Sequence, residues 1–344
     1  MKEQIIRIFG QDVYQLITRY TDIETSNTAI LSTSTVFNIE HFAHAKNHSI
    51  VNLRRINDIR FINKFFEAIN SRLVPNGIFI GCVEPIDARK QRLLNKYPFL
   101  LNYIYYFFDF IIKRVFPKFR LTKRIYFFLT RGQNRSVSRA ETLGRLYSCG
   151  FEVIEELKVN NIFYFVARKT GEPAYDPDPS YGPIVRLRRL GKNGKIIKVY
   201  KFRTMHPFSE YLQDYMFHKN KLREGGKFND DFRVSTIGRI MRKFWIDEIP
   251  MIINLFRMEI KIVGVRPLSM QYFNLYPKDM QERRLKYKPG LIPPFYADMP
   301  KTFDQIIESE KRYLDRYDQY PLRTDIVYFF RACWNILFRK ARSN

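Results

Sequence analysis

Two adjacent carboxylates, Asp247 and Glu248, sit in a stretch that is otherwise cationic. Between residues 230 and 268 the chain places Arg233, Arg239, Arg242, Lys243, Arg257, Lys261 and Arg266 around them. Arg239 and Arg242 are spaced i,i+3 and share a face if the segment is helical. Pro250 follows Asp247 by three residues, which suits the first turn of a helix, where a missing N–H costs nothing. The spacing therefore predicts Asp247 at or near an N-cap, with a helix starting over 248–256. A carboxylate facing a positive helix end and several arginines is expected to stay ionised, and it can act as a nucleophile. The same arginines could hold a phosphate. The plainer alternative is an ordinary helix start with a solvated basic face.

The flanking elements carry further blocks. Upstream, IVRLRRLGKNGKIIKVYKFRTM predicts two strands across a Gly191-Lys-Asn-Gly194 turn. It ends in Lys201-Phe202-Arg203-Thr204-Met205, while Val263-Gly264-Val265-Arg266-Pro267 and Lys288-Pro289-Gly290 lie downstream. Together with Asp231, Arg233, Gly238, Arg242, Asp247, Glu248, Pro250 and Asn254, these blocks resemble the catalytic core of the bacterial sugar transferases. Those are the monotopic phosphoglycosyl transferases that load a sugar phosphate onto a polyprenyl phosphate. Matching blocks in one order over roughly half the chain are far more specific than any block alone.

The resemblance implies a mechanism. Asp247 would attack the sugar-bearing phosphate of a uridine diphosphate sugar (UDP-sugar) and form a covalent intermediate, which polyprenyl (undecaprenyl) phosphate would take over. Glu248 would be the Mg²⁺ ligand or orienter. Arg242 and Arg266 would clamp phosphate, with Lys201, Arg203 and Arg233 in the same role. The expected setting is the cytoplasmic face of a bacterial inner membrane, and the expected product initiates a cell-surface polysaccharide or glycoconjugate. The chain departs from the family pattern at Phe232, Met251, Met258, Lys261 and Val265, and over Leu291–Asp298. Ser180-Tyr181-Gly182-Pro183 keeps the family's box, but the apolar hairpin that precedes it in the family is absent.

Composition agrees with anionic partners. Of 344 residues, 59 are Lys or Arg and 34 Asp or Glu, a formal charge of +25, with 31 Phe and 22 Tyr. Such an excess calls for nucleic acid, anionic lipid or a phosphorylated substrate. No RNA-binding box is present, so no nucleic acid is expected. Cys82, Cys149 and Cys333 are widely spaced and make neither a metal knuckle nor a disulfide framework. MKEQIIRIFG lacks an apolar signal region, and no run of 18 apolar residues predicts a spanning helix.

Residues 1–170 read as alternating strand and helix. AILSTSTVFNI, HSIVNL, FEVIEEL and NIFYFVARK are strand-like, INDIRFINKFFEAINSRL is helical, Pro75-Asn76-Gly77 is a turn, and Ser138 with Glu141 forms a capping box. Leu73–Gly77 and Gly150–Val153 resemble the second half of a Rossmann-like methyltransferase, but no Gly-rich loop follows an early strand. This domain is therefore expected to be a scaffold without S-adenosylmethionine. His41, His44 and His48 have helical spacing but no complete ligand set, and surface or packed histidines are the expectation.

Residues 97–128 combine an aromatic run with Lys113, Arg114, Lys118, Arg120, Lys123 and Arg124, and read as an interfacial segment on anionic lipid. Asn102, Asp109 and Pro117 argue against a full span. Residues 206–229 are polar and predict a mobile loop over the substrate. The segment from Asp325 to the end reads as an interfacial helix with a cationic end, or as a helix docked on the core.

The fold expected is α/β: a truncated Rossmann-like N-terminal domain over 1–170, a linker over 171–183, and a mainly helical, membrane-associated sugar-transferase catalytic domain over 184–344. The rival readings are a non-enzymatic basic protein that binds membrane or RNA, and a methyltransferase with an inactive transferase half. The sequence does not set the oligomeric state, and a homodimer is compatible with it.

Overall fold

The structure, a computed structural model, describes residues 2–42, 47–175, 182–213, 215–216, 222–223, 227–228 and 231–338. The chain divides into two compact units, residues 1–181 with 206–216, and residues 182–205 with 217–344.

The first unit is built on a mixed five-stranded sheet of order β1-β2-β3-β5-β4. β1 (Thr28–Leu31), β2 (Asn47–Arg55) and β3 (Leu73–Val83) run parallel. β5 (Ile162–Lys169) runs antiparallel to β3 and forms a hairpin with β4 (Phe151–Val159). Ile50, Val51, Phe79, Ile80, Phe165 and Val166 are fully buried, as central strands covered on both faces require. Ile5, Val13, Leu16 and Ile17 of the two N-terminal helices pack with Val51, Ile80 and Val166. Phe66, Phe79 and Phe165 form an aromatic cluster with ring centroids 5.4–6.4 Å apart.

Three local expectations change. The strand-like run AILSTSTVFNI pairs only through Leu31, and Val36–Phe42 is helical. Thr33 is the cause: its N–H donates to Asn52 Oδ1, and its hydroxyl accepts from Thr35 N–H and Asn38 Nδ2, a side-chain turn that starts a helix. Pro75-Asn76-Gly77 does not separate helix from strand but lies inside β3. The register jumps there from Asn47↔Leu73 to Ser49↔Ile78, and Asn76 takes φ 62°. Ser138 caps its helix by accepting from Glu141 N–H, but the Glu141 carboxylate completes no capping box; it binds Arg114 and Arg145 instead.

Residues 206–216 also belong to this unit, so the compact units do not follow a single cut along the chain. Of the polar loop expected over 206–229, residues 206–213 with 215–216 are packed into this unit, while 214, 217–221, 224–226 and 229 lie outside the described residues. Phe208, Leu212, Tyr215 and Met216 are buried, and Gly144 leaves no room for a side chain against the Phe208 carbonyl. His41 is exposed and stacks on Phe37 at 3.8 Å, and His48 lies in β2, whereas His44 falls outside the described residues.

The second unit is mainly helical, with short strands. β6 (Ile184–Leu190) and β7 (Ile196–Phe202) form the expected antiparallel hairpin, turned by Asn193 at φ 56°. β8 (Leu222–Arg223) pairs with β9 (Lys227–Phe228), and β10 (Lys261–Val263) runs parallel to β11 (Gly290–Ile292). The core gathers Val263, Val265, Leu268, Tyr296, Tyr313, Leu314, Tyr328 and Ala332. The C-terminal helix Pro321–Phe338 docks through Thr324, Tyr328, Ala332 and Asn335, yet leaves Ile326, Phe330, Trp334 and Leu337 exposed. Arg339, Lys340 and Arg342 lie outside the described residues. No helix among the described residues is long and apolar enough to cross a membrane.

Candidate active site

The carboxylate pair is carried by a 3₁₀ turn, Ile246–Met251, that runs into the short helix Ile252–Phe256. Asp247 is therefore not the N-cap. That position falls to Trp245, which takes the left-handed region at φ 60°, ψ 15°. A bulky residue pays about 1–3 kcal/mol for such a backbone. Packing of its indole against the tilted Tyr296 ring, with centroids 4.2 Å apart, helps hold it. The turn drives Asp247 and Glu248 inward, to 6% and 8% exposure.

Burial changes the electrostatics expected from sequence. It pushes the Asp247 carboxyl above the usual aspartate range. Glu248 adds to that, while Lys201 and Arg242 oppose it without winning. Among the described residues, Asp247 Oδ1 is buried without a hydrogen-bond partner, as is Nε1 of the capping Trp245. Unpaired buried polar atoms are uncommon and costly. Glu248 Oε1, in contrast, accepts from Lys201 Nζ at 2.5 Å.

Two neighbouring residues position this arrangement. Asn254 is fully buried; its amide donates to the Lys198 carbonyl at 2.8 Å and its oxygen accepts from Tyr200 N–H at 3.0 Å. That clamps the helix after the carboxylate-bearing turn to β7, one residue from Lys201. Thr204 accepts from Arg242 Nε at 3.0 Å through its hydroxyl, and from Ser235 N–H through its carbonyl at 2.9 Å. Ser235 caps the helix Thr236–Lys243 that carries Arg239 and Arg242, and Gly238 lies flush on the Thr204 carbonyl, with no room for a Cβ. Asn254 and Thr204 lie within the family-like blocks, where the sequence implies no role for them. A polar residue inside an apolar run, as in Ile253-Asn254-Leu255, was the available signal.

Of the predicted phosphate ligands, Lys201 and Arg242 are the two cations that act on Asp247. Burial pulls the Arg242 guanidinium below its usual range, against Asp247 and Asp231. Arg233 is buried and chelates Asp231 through two bonds of 2.7 and 2.8 Å. Arg203 donates through Nε to the Gly182 carbonyl at 2.9 Å. Arg266 faces Phe295 at 5.8 Å, and its carbonyl takes a bond from Arg284. The Val263–Pro267 and Lys288–Gly290 blocks meet through β10 and β11, where Gly290 N–H donates to the Val265 carbonyl at 2.9 Å.

Among the described residues no group of three or more His, Cys, Asp or Glu forms a closed metal site. The adjacent carboxylates Asp247 and Glu248, the first with an oxygen unpartnered among the described residues, do suit Mg²⁺, a cation that draws its other ligands from phosphates and water.

Residues 178–339 match the family described as Bacterial sugar transferase. The chain is 31% identical over 154 residues to a galactosyl transferase, CpsE, of Streptococcus agalactiae, covering 44% of this chain and 32% of that protein. It is 37% identical over 109 residues to the exopolysaccharide production protein ExoY of Sinorhizobium fredii, covering 30% of this chain and 48% of that protein. It is 32% identical over 115 residues to a UDP-glucose:undecaprenyl-phosphate glucose-1-phosphate transferase of Klebsiella pneumoniae, covering 33% of this chain and 23% of that protein. The chain thus spans less than half the length of each.

Proposed function

Residues 178–339 belong to the bacterial sugar transferase family, and on that premise we propose that the chain transfers a sugar phosphate from a UDP-sugar to polyprenyl phosphate through a covalent intermediate on Asp247. The observation that carries the reading is the buried, unpartnered Asp247 Oδ1 beside Lys201 and Arg242. An oxygen desolvated in this way is a stronger nucleophile than one in water, and it has no protein bond to break before it reacts.

Asp247 Oδ1 attacks the phosphorus bonded to the sugar. The bond from that phosphorus to the bridging oxygen breaks, and nucleoside monophosphate leaves with the electron pair. An oxygen of polyprenyl phosphate then attacks the same phosphorus, and the Asp247 carboxylate departs. Each step needs charge neutralisation more than proton transfer. Arg242, oriented by Thr204, presents a planar fork suited to phosphate oxygens. Lys201 holds Glu248 in place and keeps positive charge at Asp247. Arg266 serves as a second clamp, with Arg203 and Arg233 holding the surrounding backbone and loop. Glu248 would hold Mg²⁺, which when bound neutralises diphosphate charge.

Exposed Ile249 lies in the catalytic turn and Ile252, Ile253 and Phe256 continue from it, while Ile237 and Ile240 lie on the preceding helix with Phe244 at its C-cap. An apolar rim of this kind suits an acceptor carried on a long lipid at the cytoplasmic face of a membrane. We read the first unit as a non-catalytic scaffold, because no glycine follows β1 before the helix Val36–Phe42. The direct test is a nucleotide-sugar panel with polyprenyl phosphate in detergent, reading nucleoside monophosphate release. One or more UDP-sugars should give lipid-dependent release, and release from none would refute the reading.

A further inference from the structure

We propose that the first unit docks by itself on an anionic phospholipid bilayer, through the outward faces of the helices Leu101–Phe110 and Arg120–Thr130. This surface lies outside the family-matched residues 178–339 and does not depend on the transfer reaction.

The helix Leu101–Phe110 is inside out. Asn102, Tyr106 and Asp109, at i, i+4 and i+7, turn toward the protein. Asn102 Nδ2 donates to the Leu94 carbonyl at 2.9 Å, and Asp109 receives two bonds of 2.7 Å from the buried guanidinium of Arg89. The opposite stripe, Leu101, Ile104, Tyr105 and Phe108, is exposed, with Phe107 beside it. Asn102 and Asp109, which break up the aromatic run in sequence, are thus withdrawn, and what faces outward is aliphatic and aromatic, including Tyr103 and Tyr105. A water-facing helix has the reverse polarity.

The helix Arg120–Thr130 repeats the pattern. Its Tyr126 is buried, with Lys113 Nζ 5.8 Å from the ring centre, so this helix too turns a tyrosine inward. Its outward stripe, Leu121, Ile125, Phe128 and Leu129, follows i, i+4, i+7 and i+8, and Leu121 and Phe128 are 83% and 84% exposed. Phe99 and Leu100, just before the first helix, are exposed as well. Isolated exposed apolar residues are ordinary, but two helical stripes of them in one unit mark an interaction surface.

Charge identifies the partner. Lys96, Arg124 and Arg131 flank the stripes, are exposed, and among the described residues form no ion pair. Cations flanking an aromatic and aliphatic face match a layer whose surface is anionic and whose interior is hydrocarbon. Helices of 10 and 11 residues are too short to span it, so they lie in the interface.

The test uses the full chain with Phe108 or Phe128 replaced by the photo-crosslinker p-benzoylphenylalanine, on vesicles of phosphatidylethanolamine and phosphatidylglycerol. Phe37, an exposed phenylalanine of the same unit, carries the crosslinker as the control. Phospholipid adducts should form from positions 108 and 128 well above the yield at 37. The double variant Leu121→Glu, Phe128→Glu should partition into these vesicles about tenfold less or weaker still. Capture of a second copy of the chain, or adduct yields no higher than at Phe37, would overturn the proposal. Crosslinking is read without the glutamates, so it decides the matter even if the double variant is unstable. The Asp247→Asn protein should give the same adducts, which separates this surface from the reaction.

Discussion

Lys201 Nζ lies 2.5 Å from Glu248 Oε1 and ties the end of β7 to the turn that carries Asp247. The same ammonium lowers the Asp247 pKa, against burial and against Glu248. One cation therefore serves both carboxylates.

Replacing it with an uncharged side chain should move the pH dependence in one direction. In Lys201→Met the forces that raise the Asp247 pKa lose an opponent, so ionised Asp247 persists only at higher pH. The acid limb of the rate should shift upward, and the neutral-pH rate should fall on the order of 100-fold. A single-turnover pH profile measures this; an acid limb that stays put or moves down would show that Lys201 does not set the charge of Asp247.

Arg242→Lys should retain charge but lose the planar fork, lowering kcat/KM by roughly 10- to 100-fold. Thr204→Val removes the hydroxyl that accepts from Arg242 Nε and should cost less, through orientation alone. Steady-state kinetics on both variants compare them, and a larger loss for Thr204→Val would contradict this order.

Gly238→Ala should destabilise the second unit, because the new methyl group would overlap the Thr204 carbonyl. Forcing volume into such a contact costs about 1–3 kcal/mol. Ser235→Ala, which deletes the helix cap, should cost about 1 kcal/mol. Urea unfolding followed by the tryptophans reports both, since Trp245 and Trp334 lie in this unit.

Glu141 should make the first unit acid-sensitive. Burial alone would raise its pKa, but Arg114 at 2.5 Å and Arg145 at 2.8 Å hold the carboxylate well below its usual range. A depressed folded pKa contributes stability above the unfolded value, and that contribution is lost as pH falls through the folded one. Glu141→Gln should therefore cost about 3–5 kcal/mol near neutrality, since it leaves two guanidinium groups buried without their charge partner. The gap to wild type should narrow on acidification. A gap in thermal stability that does not depend on pH would contradict this.

Sequence and structure part company for identifiable reasons. The β6–β7 hairpin, β2, β4, β5 and the helix ending before Gly150 were legible because apolar period and turn residues agree locally. The family-like blocks single out Asp247, Glu248, Lys201 and Arg242 as candidates from sequence, and the structure brings Lys201 and Arg242 to bear on Asp247. Not legible was the left-handed Trp245, which moves the cap off Asp247 and buries the pair, because no local rule favours tryptophan there. The raised pKa of Asp247 follows from that burial, and helix-end reasoning gave the opposite direction. Phe208, Leu212 and Met216 read as part of a polar loop because the partners that bury them come from distant residues such as Gly144. Asn102 and Asp109 were legible as interruptions of the aromatic run, but which way they face depends on Arg89 and on the Leu94 carbonyl.

Covalent catalysis at Asp247 is tested most directly by incubating the protein with a turned-over UDP-sugar, radiolabelled in the sugar, with Mg²⁺ and without lipid. Wild-type protein should become labelled with sugar phosphate and release about one nucleoside monophosphate per active site, and the label should leave on adding polyprenyl phosphate. Asp247→Asn keeps the shape but lacks the attacking carboxylate, so it should take no label and lose turnover on the order of 10⁴-fold or more. Lipid-dependent turnover in Asp247→Asn near the wild-type rate, or wild-type turnover with no labelled protein at any time, would contradict a nucleophilic Asp247.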